Sequence, residues 1–331
     1  MAAIKVAVLG FGTVGQGVYE AIETHQTKLE RLLGSKVDIA GVLIQDKKKK
    51  RHIENNLFFT TEIEDILQIP DLEVVFEAIV GDQSSYQYAK KAIASGCHVI
   101  TANKAMFAKH GEKLIEKANE AGVSIGYEAT TAGGIPIIRT IKQLLQVNRI
   151  NKLEAILNGT SNFILTEMRQ NKLSFGEALK LAKKIGYAEA DPSNDIDGTD
   201  AFYKLMILSK LIFGKQPQWV QVEKQGIDLL TAEDIVVATN KGLRYKHIAK
   251  LGIEGEQLVA SVKPVLVNDQ HPLFHVEGVD NAITLQTSLI GELTLQGPGA
   301  GKLPTASAMI EDFIDILQRE LREQTEQAVN V

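Results

Sequence analysis

The segment Val8-Leu9-Gly10-Phe11-Gly12-Thr13-Val14-Gly15 closes a β-branched run, Ile4 to Leu9, and opens a helical pattern. At a strand-to-helix junction the Gly-x-Gly-x-x-Gly spacing has a physical reading. Gly10 permits a sharp turn, Gly12 lets the backbone approach a pyrophosphate, and Gly15 lets the helix pack closely on the sheet. The start of the helix adds N–H groups with no partner inside the helix, which suit an anion. Gly10, Phe11, Gly12, Thr13, Val14 and Gly15 are therefore the candidate dinucleotide loop, and the fold such a loop requires is a parallel sheet with helices on both faces.

The rest of the first 127 residues keeps that rhythm. Val37 to Gln45, Val74 to Ala78, His98 to Thr101 and Val123 to Tyr127 read as strands separated by amphipathic stretches, which predicts a Rossmann-type, doubly wound α/β sheet. The second strand runs into Asp46-Lys47-Lys48. An acidic residue there suits the ribose hydroxyls of NAD and a basic one the 2′-phosphate of NADP, so Asp46 and Lys47 leave the choice open. Thr101-Ala102-Asn103-Lys104 leaves another strand at its carboxyl end, where ligands sit in an open parallel sheet, and places Lys104 toward the cofactor crevice.

After residue 130 the pattern changes. Helices are expected at Pro136 to Leu145, Ser161 to Gln170 and Phe175 to Ile185, with a strand at Lys152 to Leu157. Strands follow at Lys246 to Leu251, Gln257 to Val267, Asn281 to Thr287 and Leu289 to Gln296, then a helix from about Thr305 to Arg322 and a polar tail from Glu320. This describes an α+β domain with a mostly antiparallel sheet. Asn158-Gly159-Thr160-Ser161 leaves a strand and enters a helix, with Thr160 or Ser161 as N-cap and free amides able to hold a carboxylate.

Between Gly186 and Lys204 the chain gathers Glu189, Asp191, Asp195, Asp197 and Asp200 before a strongly apolar helix. A helix starting near Asp197 would put Asp197, Asp200 and Lys204 on one face, with Asp200 and Lys204 one turn apart. Charges carried into an interior need a function or a partner.

Composition removes several other roles. A net charge of −5 argues against a nucleic-acid partner. No apolar run of ~20 residues could span a bilayer, and the first residues lack signal-peptide organisation, so a cytoplasmic protein without a membrane partner is expected. Cys97 is the single cysteine, at the start of a buried strand, and the histidines are scattered, which gives neither a disulfide framework nor a transition-metal site.

Six segments then carry a family resemblance. They are Gly10 to Gly15, His98 to Lys104, Glu128-Ala129 with Ala132 to Ile137, Ile156 to Asn162, Gly186 to Lys204, and Gly297 to Gly301 with Pro304 to Ala308. In this order they resemble homoserine dehydrogenase. The resemblance implies reversible NAD- or NADP-dependent interconversion of L-aspartate 4-semialdehyde and L-homoserine, on the route to threonine, methionine and isoleucine. It implies Lys204 as the proton donor and acceptor, Lys104 in contact with cofactor and substrate, and Glu189 and Asp200 holding the substrate, with Asn158, Gly159 and Thr160 beside them. Gly186 and Gly301 would close over the cofactor from the second domain. A monovalent cation, usually sodium, would sit on the Glu128 side chain and the backbone oxygens of Thr131, Gly133 and Ile135.

The resemblance further implies a nucleotide-binding domain of residues 1–132 completed by a C-terminal helix, 303–331. A substrate-binding and dimerisation domain would occupy 133–302, in a homodimer. Gln45 stands where many relatives carry arginine, and Asn194 replaces a common aspartate. Many relatives continue into an ACT regulatory domain of roughly 70 residues, near the lower end of what folds on its own core. The polar tail leaves no length for one, so a short form that threonine does not inhibit, except by weak competition with homoserine, is expected. Aspartate-semialdehyde dehydrogenase chemistry needs a cysteine nucleophile opening a helix, which Cys97 does not do. The remaining alternative is a cofactor-binding regulatory protein without catalysis.

Overall fold

Successive residues of the first strand face opposite ways, and both sets find apolar partners. In a computed structural model, which describes residues 2–46 and 57–329, β1 (Ile4–Leu9) sends Val6 and Val8 into one core with Val18 and Ile22 of α1 (Thr13–Leu33). Ala7 and Leu9 enter a second core. A strand apolar on both sides belongs to a parallel sheet covered on both faces. The chain continues through β2 (Val37–Leu43), β3 (Phe59–Thr60), α2 (Ile63–Leu67), β4 (Leu72–Glu77), α3 (Gln83–Ala94), β5 (His98–Thr101), α4 (Lys104–Glu120) and β6 (Ile125–Gly126). These strands pair in parallel in the order β3-β2-β1-β4-β5-β6. The order reverses between β1 and β4, which opens a crevice at their carboxyl ends.

The C-terminal helix, Lys302–Val329, lies against α1. A Cβ at Gly17 would stand 2.6 Å from the carbonyl oxygen of Lys302, so the glycine is what allows this approach. Phe313 reaches the sheet, its ring 5.5 Å from that of Phe76. The polar tail expected from Glu320 is instead the end of this helix. It is rich in Glu, Arg and Gln, with no glycine or proline to stop it, and Glu320 pairs with the buried His98 at 2.8 Å. The expected strand Val123 to Tyr127 shrinks to two residues, because Gly126 abuts Asp312 and the amide of Glu128 donates to the Asp312 carboxylate at 2.8 Å.

Met1–Thr130 with Gly301–Val331 forms one compact unit and Thr131–Ala300 a second. The second comprises α5 (Ile137–Leu144), β7 (Ile150–Ile156), α6 (Gly159–Gln170), α7 (Phe175–Lys184), α8 (Ser193–Ile196), α9 (Thr199–Phe213), β8 (Glu223–Lys224), α10 (Ala232–Asn240), β9 (Arg244–Glu254), β10 (Gln257–Val267), β11 (Asp280–Thr287) and β12 (Glu292–Pro298). Its sheet runs β12-β11-β7-β9-β10-β8 and is antiparallel apart from the β10–β8 pair. Helices α6, α9 and α10 pack on β9. Helix α10 is not among the expected helices, although Thr231 and Asp234 form a reciprocal capping box at its start. Among the described residues no helix is long and apolar enough to cross a membrane.

Candidate active site

The first unit presents its candidate residues at the carboxyl edge of its sheet. Gly10 has φ +90°, and a Cβ there would lie 2.7 Å from the Ala78 carbonyl oxygen. A Cβ at Gly15 would lie 2.0 Å from the Gly10 carbonyl oxygen, so both must be glycine. Gly12, the N-cap of α1, differs: a Cβ there would meet no protein atom within 4 Å. Its lack of a side chain answers to something other than the protein. The first turn of α1 carries no acidic residue and no side-chain cap, which keeps its N–H groups suited to an anion. Phe11 is anchored edge-on to Tyr19 and Phe59, at 6.0 and 5.7 Å. Thr13 is exposed and Val14 half-buried. These features fit a dinucleotide pyrophosphate.

Asp46 is exposed just beyond β2, and Lys47 and Lys48 lie outside the described residues. Lys104 is half-buried as the first residue of α4. Asn103 caps that helix by accepting from the Met106 amide at 3.0 Å, and its side-chain amide donates to the Ile79 carbonyl at 3.0 Å. Gly301, expected with the second domain, falls in the first unit just before the C-terminal helix, with φ +127°.

In the second unit the charges converge. Lys204 and Asp200 have side chains only 8% and 5% exposed, and Nζ lies 2.8 Å from the Asp200 carboxylate. The ammonium also donates to the Leu157 carbonyl oxygen at 2.6 Å. Asn158, not Thr160 or Ser161, is the N-cap of α6: helical geometry begins at Gly159, and the Asn158 side-chain oxygen Oδ1 accepts from the Ser161 amide at 2.8 Å. That bond orients the other end of the amide. Its Nδ2 donates to Asp195 at 2.7 Å and to Asp200 at 2.9 Å, so one amide bridges two carboxylates. The spacing of the acidic run gives no reason to prefer Asp195 over its neighbours; the contact with Asn158 is what sets it apart.

Asp197 leaves the expected helical face. Gly198, at φ +84°, separates α8 from α9, and Asp197 turns back to the Thr199 amide at 2.8 Å and to Lys224 at 3.4 Å. Helix α9 begins two residues later than expected, at Thr199, and Asp200 sits in its first turn, where a carboxylate suits the dipole. Thr160 holds the Tyr187 carbonyl oxygen at 2.7 Å, fixing the chain just after Gly186, an exposed residue with φ +83° that ends α7. Gly159 is packed on the Val279 carbonyl. Glu189 is exposed and makes no hydrogen bond or ion pair with the Asp200–Lys204 cluster.

Glu128 is buried in a 3-10 turn. Thr131 is fully enclosed, Ala132 and Gly133 are successive left-handed residues, and Ile135 donates its amide to the Ala132 carbonyl.

Two family models match the chain, one described as "Homoserine dehydrogenase, NAD binding domain" over residues 10–128 and one as "Homoserine dehydrogenase" over 136–314. A homoserine dehydrogenase of Bacillus subtilis is 41% identical over 319 residues, spanning 96% of this chain and 74% of that one. One from Synechocystis is 39% identical, spanning 95% and 73%. Among solved structures, a homoserine dehydrogenase from Thiobacillus denitrificans superposes with a TM-score of 0.93 at 36% identity, over 97% of this chain and 75% of that one. A hyperthermophilic archaeal homoserine dehydrogenase in complex with NADPH gives 0.80 at 28% identity, over 96% and 98%. The chain belongs to the homoserine dehydrogenase family.

Proposed function

We propose that the protein catalyses the reversible nicotinamide-dependent interconversion of L-aspartate 4-semialdehyde and L-homoserine. The observation that carries this reading is the buried Lys204–Asp200 pair, bridged through Asn158 to Asp195. The nicotinamide would be held through the Gly10–Gly15 turn and Lys104, with Gly186 and Gly301 beside it, and when bound it supplies or accepts the hydride. Aldehyde reduction leaves an oxygen that needs a proton, and alcohol oxidation releases one. Lys204 moves that proton, held in one direction by Asp200 and the Leu157 carbonyl. Asp195, Asp200 and Glu189 select a substrate bearing an ammonium group, and the α6 start at Asn158, Gly159 and Thr160 suits its carboxylate.

Glu128 with the backbone oxygens of Thr131, Gly133 and Ile135 would supply an all-oxygen donor set, which suits a hard cation such as sodium. The protein acts as a homodimer through its second unit, where β10 leaves Leu258, Val259 and Val265 half-exposed. It works in the cytoplasm, in the synthesis of threonine, methionine and isoleucine; a single buried thiol, Cys97, is in keeping with a reducing compartment. The completeness of the Lys204–Asp200 pair speaks against a binding protein without catalysis. Initial rates with L-homoserine and NAD or NADP, and with aspartate semialdehyde and the reduced cofactors, test the reading. Folded, cofactor-bound protein without turnover in either direction would overturn it.

A further inference from the structure

Glu77, the last residue of β4, is a carboxylic acid completely enclosed by protein. No lysine, arginine or histidine pairs with it among the described residues. Burial alone pushes its carboxyl up, opposed by hydrogen bonds from Thr101 and Ile79. An acid in such a place is costly unless its oxygens are fully used.

They are used in a closed ring. The Thr101 hydroxyl donates to one Glu77 oxygen at 2.6 Å, and the Ile79 amide donates to the other at 2.8 Å. The Asn103 amide donates to the Thr101 hydroxyl at 3.0 Å, and the Asn103 side chain donates to the Ile79 carbonyl at 3.0 Å, which closes the circuit. Asn103 also reaches the Gly81 carbonyl and caps α4, whose first residue is Lys104. On its other side the same segment forms the wall of the glycine turn: the Ala78 amide donates to the Leu9 carbonyl at 2.8 Å, and the Ala78 carbonyl is what a side chain at Gly10 would strike. Neither neighbour of the crevice can shift without breaking the ring. The exposed tip of this segment, Val80, is an apolar residue 97% accessible at the carboxyl edge of the sheet.

We propose that Glu77 is a positioning residue for the nicotinamide cofactor, holding the Ala78–Gly81 wall and the Lys104 helix start in register while touching neither cofactor nor substrate. The proposal rests on the reading that the glycine turn and Lys104 hold that cofactor.

The test compares Glu77→Gln, Thr101→Val and the double variant, with cofactor affinity measured by calorimetry using NADH and NADPH, and melting of the unliganded protein measured in parallel. In Glu77→Gln the remaining oxygen can still accept from Ile79, but the Thr101 hydroxyl loses its acceptor. Thr101→Val opens the ring at the opposite side. Each single variant is expected to weaken the preferred nucleotide about 5- to 10-fold, as loss of one buried hydrogen bond does. The double variant should be no weaker than about the worse single, because residues of one network are not additive. Lowered melting with unchanged affinity would make the ring merely structural and overturn the proposal, as would additive losses. Wild-type protein that binds neither nucleotide would instead remove the reading beneath it, so the two failures are distinct.

Discussion

Asp200→Asn should unfold the second unit far more easily than its surface counterparts would. The pair it breaks has N···O 2.8 Å with side chains 8% and 5% exposed. That places it among buried pairs, where removal of one partner costs about 3–5 kcal/mol, rather than exposed ones worth at most about 1 kcal/mol. Coulomb's law at this separation and an effective dielectric near 20 gives an upper bound of about 6 kcal/mol. The asparagine oxygen can still accept one bond from Lys204, so the lower end, about 3 kcal/mol, is expected. With an m-value of about 2 kcal/mol/M in urea, the midpoint should fall by about 1.5 M. The chain's single tryptophan is a local reporter: Trp219 sits 5.1 Å from Phe202 and 6.0 Å from Tyr203, both on α9. Asp200→Leu with Lys204→Met removes both charges and should recover to within about 2 kcal/mol of the original, since apolar replacements of buried pairs are often neutral. A midpoint shift under about 0.5 M for Asp200→Asn, or a double variant less stable than it, would refute the assignment of a buried, mutually dependent pair.

Lys204→Ala should lower kcat by about 10²-fold or more with cofactor affinity little changed, the scale of positioned proton transfer; near-normal kcat would move the proton role elsewhere. Removing charge at Lys47 and Lys48 should weaken NADP more than NAD, and Asp46→Ala should weaken NAD; equal, small effects would make that turn solvated surface. Burial holds Lys246 down to about 8, against 10.5 for a free lysine. The unfolded chain therefore binds more protons between those values, and Trp219-reported stability should rise as pH climbs from about 8 toward 10.5. Lys246→Met should flatten that rise, and an unchanged slope would assign it to another group.

The first unit was legible because its signals are local. A glycine turn between a strand and a helix fixes both elements, and strand-helix alternation fixes the sheet type, so β1, α1 and β5 stand within a residue or two of expectation. The Asp200–Lys204 pair was legible for the same reason, being one helical turn. What escaped depends on distant partners. Asn158 as cap and bridge required knowing that α6 and α8 converge. The shift of Asp197 off the α9 face required the left-handed Gly198, where a side chain would strike His247 and Val262 of the sheet. Glu77 carried no signal at all, since an acid ending an apolar strand reads as a strand boundary until its enclosure is known.

The second unit is an insertion whose ends meet: the Gly134 amide donates to the Pro298 carbonyl at 2.9 Å, and Gly133 packs on Gly299. The first unit, by contrast, is written in two pieces, with α1 waiting for a helix that begins at Lys302. Closing a loop of roughly 170 residues costs on the order of 4–5 kcal/mol in chain entropy, and a folded second unit removes most of that cost by tying the ends itself. On refolding, Trp219 emission is expected to recover before nucleotide binding does. During synthesis, the face of α1 around Gly17 that the C-terminal helix covers stays exposed until that helix emerges, so the nucleotide half of the protein is the half that most depends on protection from aggregation while the chain is still growing.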